Sequence, residues 1–206
     1  MLKKIETQTN KETKQKRLNI IIGIIIVALM VFSTVGYALL ENNSSSSENK
    51  YGDYKFTQTT DGWQVTLKSF NNKNLVTNYL PGEVLNFSGT GSELYHYDGK
   101  TIYVVVSSQQ DIQLSLEILK NMQDRVARIQ FACSYDNENL AFCQERNLPL
   151  KDCSDATSSM PIIKIDSNST VSSYNFDQNC LILKGQGSDF IKMSDNFLFK
   201  MFGIIQ

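Results

Sequence analysis

One long apolar run lies near the start of the chain, and alternation of hydrophobic and polar positions begins only after it. Residues 18–40 read LNIIIGIIIVALMVFSTVGYALL and carry no charged side chain. A bilayer core requires about 20 apolar residues in helical conformation, so this run predicts a transmembrane helix embedded in the lipid bilayer. The competing interpretation is a cleaved signal peptide, whose apolar part normally has about 7 to 15 residues. Cleavage would then fall near Ala38.

The segment from Tyr54 to about Ser107 has a β-strand pattern. Short stretches rich in β-branched and aromatic residues alternate there with turn signals. A hairpin is predicted around Asp61-Gly62 and a second strand pair around Pro81-Gly82. A third hairpin is predicted around Asp98-Gly99, because Asp-Gly favours a type I′ turn. The first half of the folded part is therefore predicted to be a β-hairpin-rich meander.

Strands and helices alternate in the second half. A helix is predicted to begin at Ser107 or Ser108, because a serine there can cap the first turn. The segment SDFIKMSDNFLFKMF predicts a final, core-packed helix capped by Ser188 or Asp189, with Gly203 at its end. Strands are predicted at VARIQFAC, PIIKI and NCLILKG, and a short helix at NENLAFCQER. This order predicts an α+β or α/β domain.

The chain divides into four predicted parts. Residues 1–17 are a basic head, 18–40 the membrane helix, 41–51 a serine-rich flexible spacer, and 52–206 the folded domain with its disulfides. Four Asn-x-Ser/Thr triplets are candidate glycosylation sites in an exported protein. Their acceptor residues are Asn42, Asn43, Asn86 and Asn168.

The charge distribution predicts the orientation of the chain. Residues 1–17 contain six basic and two acidic side chains, whereas residues 41–206 contain 14 basic and 19 acidic ones. Basic residues that flank a membrane helix stay on the cytoplasmic side. We therefore expect a single-pass membrane protein with a cytoplasmic N-terminus and an extracytoplasmic domain. The mild negative charge of that domain argues against nucleic acid as a partner.

All four cysteines lie in the predicted outer domain, at positions 133, 143, 153 and 180. An even number in an oxidising compartment predicts two disulfides, and no CxxC pair indicates a zinc site. We expect Cys133 to pair with Cys180 and Cys143 with Cys153, because the strands ending at Cys133 and beginning at Cys180 could be antiparallel neighbours. The alternative pairs Cys133 with Cys143 and Cys153 with Cys180.

No set of residues predicts catalysis, a cofactor or a metal site. His96 is the one histidine, and most nucleophilic and metal sites require histidine as base or ligand. The turn Gly185-Gln186-Gly187 lacks the third glycine of a dinucleotide fingerprint and the lysine of a P-loop. Four aspartates recur without the spacing of a calcium loop, at positions 155, 166, 177 and 189.

These observations favour a non-catalytic interaction or assembly module of the cell envelope, which would bind a protein partner. Two alternatives remain open. A membrane-tethered hydrolase would show two carboxylates in a cleft, with the pKa of at least one of them raised. A ligand-sensing domain would show an apolar pocket with a few convergent polar groups.

Overall fold

The computed structural model describes residues 19–31, 47–87, 89–136 and 140–206. The chain divides into two units, Met1–Ser46 and Ser47–Gln206. In the first unit, residues 19–31 form helix α1, and its side chains are exposed. No helix within the described residues is both long and apolar enough to span a membrane. The predicted membrane segment, residues 18–40, continues at both ends into residues outside the described part.

A four-stranded antiparallel meander opens the second unit. The predicted hairpin at Asp61-Gly62 is confirmed, with Thr59 opposite Gly62. Gly62 has a positive φ of 125°, and a side chain there would collide with the carbonyl oxygen of Thr77. The end of the predicted spacer is corrected, because residues 48–51 form a strand that pairs with the next one. The strands are β1 (Glu48–Tyr51), β2 (Tyr54–Thr59), β3 (Gly62–Leu67) and β4 (Lys73–Thr77).

A six-stranded mixed sheet forms the larger layer, with the strand order β5-β9-β10-β8-β6-β7. Four neighbouring strands, β10, β8, β6 and β7, run parallel, and β9 pairs antiparallel with β10. The strands are β5 (Gly89–Thr90), β6 (Thr101–Val105), β7 (Arg128–Ala132), β8 (Ile162–Asp166), β9 (Ser173–Asp177) and β10 (Cys180–Lys184).

Three further helices complete a mixed α+β fold, as predicted, and its strands form two sheets. They are α2 (Gln109–Leu119), α3 (Leu140–Glu145) and α4 (Gly187–Met201). The predicted cap of α2 is confirmed, since the amide of Asp111 donates to Ser108 Oγ at 3.1 Å. The start of α4 is corrected: its N-cap is Gln186, not Ser188 or Asp189. Gly203 follows the end of α4 with a φ of 70°, as expected for a left-handed terminal residue.

Two predicted strand pairs do not form. The residues before Asp98 make a 3-10 helix, Leu94–His96, in place of a strand. Because β6 already has β7 on one side and β8 on the other, no edge is left for a hairpin partner. The residues after β4 begin another 3-10 helix, Pro81–Glu83. Proline has a fixed φ and no amide hydrogen to donate to a sheet, and both properties favour this turn.

Helix α4 is the core element that its phenylalanine content predicts. Phe197 is fully buried and packs edge-on against Tyr174 of β9, with ring centroids 5.6 Å apart. Phe199 makes the same kind of contact with Phe56 of the meander at 5.9 Å. The helix therefore presents opposite faces to the two sheets, and its burial joins them.

Two polar side chains of α4 are buried with their hydrogen bonds satisfied. Asp195 Oδ2 accepts from the amides of Asn78 and Tyr79, both at 2.8 Å. Asn196 Oδ1 accepts from the hydroxyl of Tyr174 at 2.7 Å, and its Nδ2 donates to the carbonyl of Val84 at 2.7 Å. These bonds attach the irregular segment after β4 to the helix.

The disulfides are present, but their expected pairing is wrong. Cys133 bonds to Cys143, and Cys153 bonds to Cys180. Cys133 follows the carboxyl end of β7, whereas Cys180 begins β10. The two strands run in the same direction and are separated by β6 and β8. Cys133 therefore lies where the parallel strands end, whereas Cys180 lies where they begin. The first bridge joins α3 to the end of β7, and the second joins the 3-10 helix Cys153–Asp155 to β10.

Burial raises the pKa of Asp195 to about 7, although the two amide donors act in the opposite direction. The folded state therefore retains a proton between about pH 4 and pH 7 that the unfolded state has released. This group thus makes the free energy of unfolding fall as the pH rises through that window.

We expect Asp195→Asn to remove this dependence, because the amide keeps an oxygen that can accept both hydrogen bonds. Relative to wild type, the variant should gain roughly 2–3 kcal/mol between pH 5 and pH 8. Denaturant unfolding at both pH values measures this gain, and Asp189→Asn at an exposed position of the same helix is the control. Equal pH profiles for wild type and Asp195→Asn would contradict the assignment.

Candidate functional site

The carboxyl edge of the parallel strands contains a topological switch point. From β6 the chain passes through α2 to β7 on one side, and from β7 it returns to β8 on the other side of β6. The connections that leave β6 and β8 therefore diverge and leave a crevice between the strand ends. In open α/β sheets, ligands bind in this kind of crevice.

A cleft of about 290 Å³ occupies this position. Polar residues at or just after the ends of β6, β7, β8 and β10 line it, so each strand contributes to one site. Its polar lining includes Ser107, Ser134, Asp136, Asp166, Asn168 and Lys184. The volume is at the lower limit for drug-sized ligands, which occupy about 300–1,000 Å³.

Asp111 of α2 fixes the two strand ends beside the crevice. Its side chain is buried, with the residue only 2% exposed. One carboxylate oxygen accepts from the amide of Ser107 at 2.7 Å, and the other accepts from the amide of Ser167 at 3.3 Å. Asp111 therefore holds the residues after β6 and β8 in place, and its hydrogen bonds make it a structural element of the cleft.

Lys164, Asp152 and Ser134 form a second internal cluster. The ammonium of Lys164 lies 2.9 and 3.0 Å from the two carboxylate oxygens of Asp152 and 3.2 Å from Ser134 Oγ. Ser134 Oγ donates to Asp152 at 2.8 Å. Desolvation acts to raise the pKa of Asp152, but hydrogen bonds from Lys164, the Cys153 amide and Ser134 together hold it below its usual value.

This cluster resembles a serine–lysine pair in composition but lacks the geometry for nucleophilic catalysis. A lysine that activates a serine must accept the hydroxyl proton. Here Lys164 is paired with an ionised carboxylate, and Ser134 donates its proton to Asp152. Ser134 is also buried, at 4% exposure. The three side chains therefore position one another and set the local charge.

The charged lining of the cleft is acidic. It includes three aspartates, at positions 111, 136 and 166, and two lysines, at positions 164 and 184. Because Asp152 already neutralises Lys164, the cleft presents excess negative charge to a ligand. No group of three or more His, Cys, Asp or Glu side chains in the described part of the chain could hold a metal ion.

Most of the residues that the sequence analysis considered as candidate site residues lie outside the cleft. His96 is half-buried in a 3-10 helix, with ring centroids 4.1 Å from Tyr95 and 4.8 Å from Phe176. Desolvation, followed by the nearby Lys100 charge, lowers the pKa of His96. Of the four recurring aspartates, Asp166 lines the cleft.

The glycine turn before α4 acts as a structural connection. The amide of Gly185 donates to the carbonyl of Asp166 at 3.0 Å. The amide of the Gln186 side chain donates to the carbonyl of Asn168 at 2.8 Å. The groups of this turn are therefore used within the protein, which agrees with its interpretation as a turn.

The candidate glycosylation sites fall in three places. Asn168 is exposed at the cleft, and Asn86 is exposed on the segment after Pro81–Glu83. Asn42 and Asn43 lie outside the described residues. Glycosylation at any of the four remains a prediction from the sequence.

The cleft residues carry a sequence signal that strand prediction alone does not use. In VVVSS, FACS, IIKIDSNS and LILKG, an apolar strand is followed at once by polar residues. This pattern marks a site only if the strands are parallel, because their carboxyl ends then meet at one edge. Since the sequence left the strand direction open, Ser107, Ser134 and Lys184 could not be assigned to a common site.

Comparisons with protein-family models, with curated proteins and with solved structures found no match to this chain.

We expect Lys164→Met to destabilise the domain by roughly 1–3 kcal/mol at pH 7, because Asp152 would keep a partly buried charge without its counter-ion. Denaturant unfolding measures this loss. The control is Lys55→Met, which breaks an ion pair with Glu48 in which both side chains are more than half exposed. Exposed pairs contribute about 0–1 kcal/mol, so equal losses in the two variants would contradict the role given to Lys164.

Proposed function

We propose that this chain is a membrane-tethered, extracytoplasmic interaction module that binds a basic group of a partner protein in the carboxyl-edge cleft. The observation that carries the proposal is the convergence of polar residues from four parallel strands on one small acidic cleft. A volume of about 290 Å³ suits one or two side chains of a partner better than a complete organic ligand.

The charge of the cleft favours a basic partner group. Asp136 is exposed and Asp166 half-buried, and neither forms an ion pair within the described residues. Complementary charge across an interface speeds association and excludes wrongly charged partners. A lysine or arginine side chain of the partner would therefore complete the cleft.

The internal bonding of the cleft supports binding over catalysis. Asp111, Lys164 and Ser134 are held by bonds within the protein, so they keep a fixed shape and charge. Asp195 has the raised pKa expected of a catalytic acid, but it lies on the buried side of α4, in the core and not in the cleft. A hydrolase would need such a group beside a second carboxylate in the cleft.

Two features support the proposed location. The two disulfides favour an oxidising compartment, where such bonds form and persist. The exposed apolar side chains of α1 would be stabilised by lipid, in line with the membrane helix predicted over residues 18–40. The basic residues of the head favour a cytoplasmic N-terminus.

The test is quantitative affinity capture of the tagged full-length protein from native membranes after mild crosslinking. We expect a stoichiometric partner with wild type and at least a tenfold lower yield with the double variant Asp136→Asn and Asp166→Asn. The matched control is Asp177→Asn, an exposed aspartate at the end of β9. Equal capture by wild type and the double variant would contradict a role of the cleft in binding.

A further inference from the structure

Two lysines line the carboxyl-edge cleft, and they differ in their bonding. The ammonium of Lys164 is held by the carboxylate of Asp152. Lys184 is the last residue of β10, and it is exposed. Its side chain forms no hydrogen bond or ion pair with any residue that the structure describes. The cleft therefore contains a positive charge that those residues leave open.

Lys184 and Asp166 are neighbours on one face of the large sheet. They lie opposite each other in the parallel pairing of β10 with β8, so their side chains project to the same side. Ile182, two residues before Lys184, projects to that side too and lines the cleft. Asp166 accepts from the amide of Asn168 at 3.2 Å and does not pair with Lys184. One site therefore offers a carboxylate and an ammonium beside an apolar side chain.

A ligand with only a positive charge would make poor use of this arrangement. Lys184 would repel a cation bound at Asp136 or Asp166, since like charges brought together in an interface weaken binding. A ligand that also has a carboxylate makes an attractive, charge-assisted contact with the same lysine. The open charges of the cleft are therefore complementary to a group that has one positive and one negative end.

We propose that the partner group is a C-terminal lysine or arginine, whose side chain is bound by Asp136 and Asp166 and whose terminal carboxylate is bound by Lys184. This assignment depends on the proposed function, since it names the basic group that the cleft would bind. Both charges belong to one residue, which suits a cleft of about 290 Å³. The apolar stem of such a side chain can pack against Ile182 while its charged end reaches a carboxylate.

Saturation-transfer NMR with the full-length protein in micelles of a neutral detergent tests the assignment, because it measures weak dissociation constants. The probes are acetylated Gly-Gly-Ala-X peptides in which X is lysine with a free carboxylate, lysine with a C-terminal amide, or glutamine with a free carboxylate. We expect the free lysine peptide to bind roughly tenfold more tightly than either of the others, because each of those lacks one of the two charges.

The variant Lys184→Gln should remove the preference for a carboxylate, so that the free and amidated lysine peptides bind equally well. The matched control is Lys50→Gln, which changes an exposed lysine of β1 outside the cleft and should keep the preference. Denaturant unfolding of both variants checks that they are folded.

The outcomes separate this assignment from the proposed function. Equal affinity of wild type for the two lysine peptides, with weaker binding by the double variant Asp136→Asn and Asp166→Asn, would overturn the C-terminal assignment and leave a basic partner group in place. Equal affinity for the free lysine and glutamine peptides would also overturn the assignment. No binding by either lysine peptide, together with unchanged capture by the double variant, would overturn both proposals.

Discussion

The burial of α4 between the two sheets is the interaction on which the rest of the second unit depends. Phe199 packs against Phe56 of the meander, while Phe197 packs against Tyr174 of the large sheet. Full burial of a large apolar side chain contributes about 1.5–3 kcal/mol, and several residues of this helix reach it. The main hydrophobic core contains residues of this helix together with residues of both sheets.

The same helix orders the irregular segment that connects the sheets. Asp195 and Asn196 are buried polar residues, and they would destabilise the core if their hydrogen bonds were unmade. They bond instead to the main chain at Asn78, Tyr79 and Val84. The polar positions of α4 thus specify the path of the chain, whereas its phenylalanines are among the largest fully buried side chains of the core.

Local patterns predicted the elements well and their arrangement poorly. The hairpin at Asp61-Gly62, the capped start of α2 and the buried face of α4 each follow from residues close in sequence, and all three are present. Strand β9 was missed, although Gln178 and Asn179 form a turn in which both φ angles are positive. The hairpin at Asp98-Gly99 was wrong because the neighbours of β6 are distant in sequence.

The candidate cleft shows the same division between local and long-range information. A polar residue after an apolar strand is visible in the sequence, but its proximity to the end of another strand depends on strand order. The preferred disulfide pairing failed for that reason. Cys133 and Cys180 belong to strands that run parallel and are not neighbours, and no spacing rule reveals this.

The cysteines pair in the order in which they occur along the chain, first with second and third with fourth. In a domain exported with its N-terminal end leading, Cys143 would emerge while Cys133 is still unpaired, and their bridge could close before Cys153 appears. The second loop would close in the same way, without crossing the first. Native connectivity could therefore arise by sequential oxidation during translocation, with no need to rearrange an earlier bridge.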